Sequence, residues 1–308
     1  MSPRVLVIVL CHNGVELTLA CLESLRRVEY ERADVLIVDN ASADGTPEAV
    51  RTRFPEVTVV ETGANLGFAA GNNVGLRHAL DHGYDYALLL NNDTEVAPDF
   101  LKALVAATEA DPAVGMAGPL IFYHDQPDIL WSAGGAIDWQ RGASKMLGLN
   151  EQSDEGDHIT RQVDFVSGCA LLVKRAALEQ AGLIDERFYM YYEETEWCIR
   201  AARAGYRVIV VPQARIWHKI SPEKRAASPI VHYYMTRNRL MFLRMTGANW
   251  RAFAHTLFLE YLRTLTSWSL RPQWRGMRAQ RKVMLWAIAD YFSGRVGRAP
   301  RRVASQVI

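Results

Sequence analysis

The strongest constraint on the fold is a regular alternation of two patterns in the first hundred residues. Short apolar runs occur at residues 5–10, 35–38, 57–60 and 87–90, the first of them rich in β-branched residues, and each is followed by a predicted helical segment. Continuous apolar runs are typical of strands that are buried on both faces. Strands that alternate with helices form βαβ units around a parallel sheet. We therefore expect an α/β fold with a mainly parallel, Rossmann-like sheet flanked by helices.

The pattern changes twice along the rest of the chain. Periodicity weakens between about residues 120 and 165, and then a strand pair is predicted within 163–173. Long helical segments with aromatic residues follow Ser221. The sequence therefore predicts two domains, an α/β domain over 1–225 and a helical, basic C-terminal extension over 226–308. Further elements are predicted as helices at 175–181, 195–204, 233–245 and 249–269, and a strand at 206–211.

Composition narrows the class of protein. The 308 residues include 35 basic and 34 acidic side chains, an ordinary balance that disfavours disorder and a nucleic-acid partner. No apolar run approaches the roughly 18 residues needed to span a bilayer, and the chain enters its first strand too abruptly for a signal peptide. The four cysteines show no framework spacing, which favours a reducing compartment. We expect a cytoplasmic protein.

The charge is distributed unevenly. Residues 271–302 contain nine basic side chains and one acidic side chain, a net charge of +8, interleaved with aromatic residues. This combination predicts a peripheral contact with the anionic inner face of a membrane. The alternatives are a solvated basic tail and an oligomer contact. The aromatic residues are Trp268, Trp274, Trp286, Tyr291 and Phe292.

Short polar side chains and glycines follow all four predicted strands. In open parallel sheets, ligands bind beyond the carboxyl ends of the strands. Any one of these loops could be a simple turn, because Asn, Asp and Gly have intrinsic turn preferences. Four such loops in register favour a shared binding site. Its predicted members are Cys11, His12, Asn13, Asp39, Asn40, Asn65, Gly71, Asn72, Asn91, Asn92 and Asp93.

The absence of two common phosphate-binding motifs narrows the possible classes of ligand. Neither GxGxxG nor GxxxxGK[ST] follows the first strand, so a dinucleotide dehydrogenase or a P-loop NTPase is disfavoured. A bound diphosphate would then need a metal ion or basic residues. Asp93 is a plausible oxygen ligand for Mg²⁺ or Mn²⁺, which take further ligands from water and substrate phosphates. Arg237 could neutralise a diphosphate, although an ordinary ion pair is an equal alternative.

A second constellation lies near residue 190. Glu193, Glu194 and Glu196 follow an aromatic run that includes Tyr192. One interpretation is an acidic first turn stabilised by the helix dipole. The other is a general base at the mouth of a partly apolar pocket, where burial and neighbouring charge raise its pKa toward the working pH.

Together these motifs resemble the family-2 glycosyltransferases of GT-A fold, especially their rhamnosyltransferase-like branch. The resemblance covers residues 4 to about 245. It rests on the first strand with its loop, DNASADGT at Asp39–Thr46, NLGFAAGNN at Asn65–Asn73, NNDT at Asn91–Thr94, SGCALLVKR at Ser167–Arg175, FYMYYEETEWCIRAARAGY at Phe188–Tyr206, and the pairs Trp217-His218 and Arg237-Asn238.

The resemblance implies a role for several residues on the donor side. Asp39, with the loop Cys11–Asn13, would hold the base and ribose of the nucleotide. Asp93 would be the metal-binding aspartate of a DxD-type motif. Asn91 departs from that motif, which often has Asp there, and lowers the negative charge of the site. His218 matches a histidine that some members use as a metal ligand.

The resemblance also implies catalytic and acceptor residues. Glu193-Glu194 occupies the family's Glu-Asp position, whose second member, here Glu194, would act as the base. Glu196 and Tyr192 would contact the acceptor. The expected activity is inverting transfer of a sugar, with rhamnose suggested, from a dTDP- or UDP-sugar to a glycan or lipid-linked acceptor in surface polysaccharide synthesis. The alternatives are a sugar-phosphate nucleotidyltransferase and a non-catalytic subunit that binds nucleotide sugars.

Overall fold

A computed structural model describes residues 2–153, 159–220 and 227–305 of the chain. The chain divides into two compact units, which are described separately. The first comprises residues 1–136, 146–185 and 197–220, and the second comprises 137–145, 186–196 and 221–308. The predicted domain boundary at residue 225 lies outside the described residues.

The first unit is built on a ten-stranded sheet. Its strands lie in the order β10-β12-β6-β11-β4-β1-β2-β3, with β5 and β7 paired to β12 and β6. Strands β1 to β4 pair in parallel, as the alternation of strands and helices predicts, whereas β11 pairs antiparallel with β4. The bounds are β1 Val5–Cys11, β2 Ala33–Asp39, β3 Thr58–Glu61, β4 Tyr86–Asn91, β5 Thr94–Val96, β6 Val114–Tyr123, β7 Leu130–Ser132, β10 Arg161–Gln162, β11 Ala170–Lys174 and β12 Arg207–His218.

Helices cover this sheet, which confirms the predicted α/β class. The inner faces of α1, α2 and α4 join the strands in one hydrophobic core that includes Leu22, Val50 and Leu104. The bounds are α1 Val15–Leu25, α2 Thr46–Arg53, α3 Gly67–Asp81, α4 Phe100–Glu109, α5 Arg175–Ala181 and α6 Glu193–Arg203, whose first four residues belong to the second unit.

One buried strand has no counterpart in the sequence prediction. All ten residues of β6 are buried, and the strand pairs with β11, β12 and β7. Gly115, Gly118 and Pro119 interrupt its apolar pattern, and such residues normally argue against a central strand. A register shift in β12 between Val211 and Arg215, next to Pro119, accommodates the proline. The strand pair predicted within 163–173 is a single strand, β11.

The second unit is mainly helical. Two hydrophobic clusters join its helices, one around Tyr233, Val283 and Ala287 and one around Leu240, Tyr261 and Met284. No helix in the described part of the chain is long and apolar enough to cross a membrane. The helices are α7 Pro229–Met245, α8 Trp250–Ala254, a π-helical segment His255–Tyr261, α9 Leu262–Leu270, α10 Arg278–Phe292 and α11 Arg301–Ala304; the hairpin β8 Gly135–Asp138 and β9 Ala143–Met146 links the two units in sequence.

Candidate active site

Strand pairing brings Asp93 next to His218 in the first unit. The short strand β5 pairs antiparallel with the end of β12, so that His218 faces Thr94, and the Lys219 N–H donates to the Asp93 carbonyl at 2.9 Å. This register places His218 Nε2 3.1 Å from Asp93 Oδ1. The histidine is nearly buried, whereas the aspartate side chain is 29% exposed. The pair can therefore be reached from solvent through the carboxylate.

The same pair fits a divalent metal ion. Neither Asp93 Oδ1 nor His218 Nδ1, both buried, makes a hydrogen bond with a described residue. Two neighbouring ligands of an octahedral ion with bonds of about 2.1 Å lie about 3.0 Å apart, close to the observed separation. Among the described residues no group of three or more His, Cys, Asp or Glu side chains could hold a metal. Asp93 and His218 could thus supply two ligands, with water and substrate phosphates completing the shell.

Asp39 ends β2 and is anchored from two sides. Its Oδ1 accepts a hydrogen bond from Cys11 Sγ at 3.4 Å, and its Oδ2 accepts one from the Ser42 N–H at 2.9 Å. The side chain is only 1% exposed. Burial, followed by the charge of Asp39, raises the pKa of the Cys11 thiol far above its ordinary value. Cys11 therefore remains a neutral donor that fixes the Asp39 carboxylate.

The loop after β1 is tied to the loop after β2. Asn13 accepts a hydrogen bond from the Ala43 N–H at 2.9 Å, and Asp44 accepts from the Gly14 N–H at 2.6 Å. Hydrogen bonds from Thr46 and from the backbone lower the pKa of the Asp44 carboxyl. His12 is exposed on the same loop. The Asn92 amide donates to the Asn13 carbonyl of this loop at 3.5 Å and to Thr18 Oγ1 in α1 at 2.9 Å.

The remaining predicted donor residues organise the loop before α3. Asn40 donates to the Gly67 carbonyl at 3.0 Å and accepts from the Leu66 N–H at 2.8 Å. It also lies 3.3 Å from Asn65 Oδ1. At Gly71 a Cβ would lie 2.6 Å from a methyl of Leu10, so a larger residue there would require the Leu10 side chain to shift. Asn72 is buried and donates to the Phe68 carbonyl at 3.0 Å. These contacts shape the loop, and donor contact by these residues stays a prediction.

The acidic residues begin helix α6 in the second unit. Glu193 and Glu196 are 4% and 7% exposed, whereas Glu194 is only partly buried. The Glu196 N–H donates to the Tyr192 carbonyl at 2.9 Å, which closes the first turn of the helix. The three carboxylates lie where the helix dipole stabilises negative charge. Glu194 is the most accessible of the three.

The backbone before this helix is strained. Tyr189, Tyr191 and Tyr192 have φ values of 68°, 67° and 73°, a left-handed conformation that is unfavourable for bulky residues. Asn238 holds the segment, because its Nδ2 lies within 2.9 Å of three carbonyl oxygens. The three carbonyls belong to Phe188, Met190 and Tyr191. The sequence contains the Arg237-Asn238 pair, but nothing in its pattern reveals this contact.

Arg237 supports the same segment from inside the unit. The side chain is fully buried, and its guanidinium donates to the Phe188 carbonyl at 3.1 Å and to the Gly297 carbonyl at 2.7 Å. Its Nε donates to Asn238 Oδ1 at 2.9 Å, which fixes the orientation of that amide. These contacts favour a structural role for Arg237, and its predicted contact with a donor diphosphate is untested.

Tyr192, the last residue of the strained segment, is buried. Its hydroxyl accepts a hydrogen bond from Ser144 Oγ at 3.2 Å, and its ring lies 5.5 Å from that of Phe242. Burial raises the pKa of this hydroxyl. The contacts place Tyr192 in the packing of the second unit, and acceptor contact remains a prediction.

Comparison with known proteins identifies the family of the chain. The family model described as "Glycosyl transferase family 2" matches residues 6–182. The chain is 32% identical over 217 residues to an N-acetylglucosaminyl-diphospho-decaprenol L-rhamnosyltransferase of Mycobacterium tuberculosis, covering 64% of this chain and 70% of the relative. It is 24% identical over 257 residues to the dTDP-rhamnosyl transferase RfbF of Shigella flexneri, covering 79% and 81% of the two chains.

A solved structure shares the fold. The mannosyltransferase PcManGT of Pyrobaculum calidifontis, solved in complex with GDP-Man and Mn²⁺, superposes with a TM-score of 0.59 at 19% identity. The alignment covers 95% of this chain and 88% of that one. The likeness confirms the predicted GT-A fold. Because the family model spans more than half of the chain, the protein belongs to glycosyl transferase family 2 and is a glycosyltransferase.

Proposed function

We propose that this glycosyltransferase inverts the configuration of the sugar it moves from a nucleoside-diphosphate sugar to an acceptor hydroxyl. The observation that carries the proposal is the Asp93–His218 pair, two metal-ligand side chains 3.1 Å apart at the ends of the strands. Ligands of open α/β sheets bind at this edge. Asp39 and the Cys11–Asn13 loop, at the same ends of β1 and β2, would hold the base and ribose.

Metal dependence forms part of the proposal. Asp93 and His218, with Asn91 nearby in sequence, would hold Mg²⁺ or Mn²⁺. Such an ion neutralises the diphosphate and so makes it a better leaving group. The chain's own contribution is to fix the carboxylate and imidazole through the pairing of β5 with β12.

Glu194 is the proposed general base. It accepts the proton of the acceptor hydroxyl while that oxygen forms a bond to the anomeric carbon. The bond from the anomeric carbon to the phosphate oxygen breaks, and the nucleoside diphosphate leaves with the electron pair from the opposite face. A single displacement of this kind inverts the configuration. Glu194 suits the role better than Glu193, because it is the more exposed of the two carboxylates.

The substrates are proposed from the relatives. Two of them are named as rhamnosyltransferases, one acting on a decaprenol-linked acceptor and one using a dTDP-sugar. We therefore infer that dTDP-rhamnose is the favoured donor, that a UDP-sugar is the next candidate, and that the acceptor is a lipid-linked glycan of a surface polysaccharide. Thermal-shift measurements with nucleotide sugars, with and without Mn²⁺, would identify the base, since a ligand that binds the native state raises Tm.

Substitution of the glutamates tests the mechanism. Glu194→Gln keeps the shape of the side chain but cannot accept a proton, so sugar transfer should fall by about 10²–10⁴-fold. The donor-induced shift in Tm should be unchanged. Glu193→Gln is the matched control and should retain most of the activity. A reversed result would assign the base to Glu193, and full activity of both variants would contradict a carboxylate base in this motif.

The proposal also covers where the enzyme works in the cell. An enzyme that uses a lipid-linked acceptor would work at the cytoplasmic face of the membrane, and the basic segment 271–302 could contact that surface. Several of its aromatic residues are already used within the second unit, because Trp286 and Tyr291 pack against its hydrophobic clusters. Arg271 and Arg275 are exposed.

A further inference from the structure

The helical stretch from Trp250 to Leu270 is apolar on two sides. On its inner side, Tyr261, Leu265 and Trp268 pack in the hydrophobic cluster of Leu240 and Met284. This packing attaches the stretch to the other helices of the second unit. A helix in such a position normally presents a polar surface to water. The outer side of this stretch does not.

The outer side exposes large apolar residues. Phe258, Leu259, Leu262 and Leu270 are 61%, 61%, 56% and 76% exposed. All four line one open groove, which places them on the same side of the stretch. The groove is completed by polar side chains, which are Arg263, Thr266, Ser267 and Arg271. Large apolar patches of this kind on a folded protein mark interaction surfaces. We call these four residues the outer apolar face.

Tryptophans lie near the two ends of this stretch. Trp250 is 74% exposed at its beginning, and Trp274 is 38% exposed just beyond its end. Tryptophan favours the boundary between hydrocarbon and water, because its ring is apolar and its N–H is polar. Two exposed tryptophans flanking an apolar helix face are typical of a segment that lies in a membrane interface.

Exposed arginines occur along this stretch and just beyond its end. Arg251, Arg263, Arg271 and Arg275 are exposed, and none of them forms an ion pair with another described residue. Glu260 is the single acidic residue in the sequence between 246 and 289. Its carboxylate is paired with Arg239 at 2.6 Å. Within residues 246–289 the surface therefore combines apolar side chains with exposed arginines, and its one acidic side chain is already neutralised by Arg239.

We propose that the outer apolar face, with its flanking arginines, docks the enzyme on an anionic lipid bilayer. Apolar burial and attraction to anionic headgroups are the two contributions that hold an interfacial helix. A symmetric contact with a second copy of this chain is disfavoured, because it would bring arginines of both copies together. The inference rests on the proposed lipid-linked acceptor for its purpose, and it moves the main membrane contact from 271–302 to 250–275.

Point substitutions test the docking better than truncation. Deletion of 271–308 would remove Val283 and Ala287, which pack in the cluster of Tyr233, so that variant would lose the fold of the second unit. The double variant Phe258→Asp/Leu262→Asp changes two exposed side chains instead. Leu149→Asp is the matched control, because Leu149 is 44% exposed in the first unit.

The experiment is flotation of the full chain with vesicles of phosphatidylcholine and phosphatidylglycerol in equal parts. The wild-type protein and Leu149→Asp should float with these vesicles. The fraction of Phe258→Asp/Leu262→Asp that binds should be at least about tenfold lower. Vesicles of phosphatidylcholine alone should bind weakly. Charge reversal by Arg263→Glu/Arg271→Glu should weaken flotation and remove its sensitivity to salt.

Two results would overturn the proposal. One is equal flotation of the wild-type protein and Phe258→Asp/Leu262→Asp. The other is a wild-type dimer in sedimentation velocity that this double variant converts to monomer, which would assign the face to self-association. Transfer of sugar to a water-soluble acceptor analogue is measured in parallel. If Phe258→Asp/Leu262→Asp transfers sugar normally but does not float, the docking surface is separate from catalysis. If the wild-type protein transfers no sugar, that result contradicts the proposed function and leaves the docking proposal unaffected.

Discussion

The chain holds its two groups of proposed catalytic and metal-binding carboxylates by different physical means. Asp93, in the first unit, is fixed by backbone pairing between β5 and β12, in which neighbouring residues occupy ordinary strand geometry. Glu193 and Glu194, in the second unit, follow three tyrosines with positive φ. That segment is held by Asn238, about fifty residues away in sequence. One carboxylate is thus positioned by regular secondary structure and the others by a buried side-chain clamp.

The two arrangements also differ in their energetic cost. Placing a bulky residue in the left-handed region costs about 1–2 kcal/mol of folding free energy. The three tyrosines at positions 189, 191 and 192 therefore need compensating interactions. The buried Asn238 amide and Arg237 guanidinium supply hydrogen bonds to the carbonyls of the same segment. Strain that is held in this way is typical of segments that place reactive groups. It also makes the second group of carboxylates more sensitive to a single distant substitution.

The largest effect is expected for Asp93, the carboxylate that is positioned by strand pairing. Asp93→Ala removes the carboxylate of the proposed metal site and should lower sugar transfer by about 10³-fold, a loss of ~4 kcal/mol in transition-state stabilisation. Folding should be little affected, because the side chain is partly exposed and the strand register does not depend on it. Steady-state transfer assays over a range of Mn²⁺ concentrations provide the measurement.

His218→Gln sharpens this test. The variant should lose about 10–100-fold in apparent Mn²⁺ affinity, while saturating metal restores much of the transfer rate. Unchanged dependence on Mn²⁺ in both variants would show that the Asp93–His218 pair does not hold a metal ion.

A smaller effect is expected for the clamp in the second unit. Asn238→Ala leaves buried carbonyls without their donor, which should cost about 2–4 kcal/mol of unfolding free energy. The strained segment should then relax and displace Glu193 and Glu194. We expect kcat to fall by about 10–100-fold with little change in the KM for the donor. Denaturant unfolding and steady-state kinetics measure the two effects separately.

The first unit supplies a matched control. Asn73 is also buried, and it exchanges two hydrogen bonds with Ile184, at 2.8 Å and 3.0 Å. Asn73→Ala should lower stability by a similar amount but leave kcat nearly unchanged in the folded enzyme. If both variants lost kcat equally, Asn238 would be a stabilising residue rather than a positioning residue.

The same contrast explains what could be predicted from sequence. The first unit follows from local patterns, so its parallel strands, flanking helices and polar strand ends were predictable. Strand β6 was missed because Pro119 and Gly118 obscure a strand whose burial depends on both neighbours. The clamp of Arg237 and Asn238 was equally hidden, since both lie in a helix and act on carbonyls that are distant in sequence.

The smallest expected effect concerns Tyr233, which packs beside Arg237 beneath the clamp. Its ring centroid is 5.3 Å from the guanidinium, and its hydroxyl donates to Asp290 at 2.8 Å. Burial, together with that hydrogen bond, raises the pKa of Tyr233 from 10.0 to about 12. The native state therefore retains this proton between pH 10 and 12, while the unfolded state loses it. The contribution of Tyr233 to the free energy of unfolding is therefore fully present below pH 10 and is lost as the pH rises to 12.

Tyr233→Phe isolates that contribution. At neutral pH the variant should lose about 1 kcal/mol, the value of one buried hydrogen bond. Between pH 10 and 12 the wild type should lose stability more steeply than the variant, by up to about 1.4 kcal/mol per pH unit, so that the difference falls to zero and then changes sign. Urea unfolding of both proteins at several pH values gives the comparison. Parallel curves would mean that Tyr233 ionises normally in the native state, and the buried support beneath Arg237 would then be weaker than its contacts indicate.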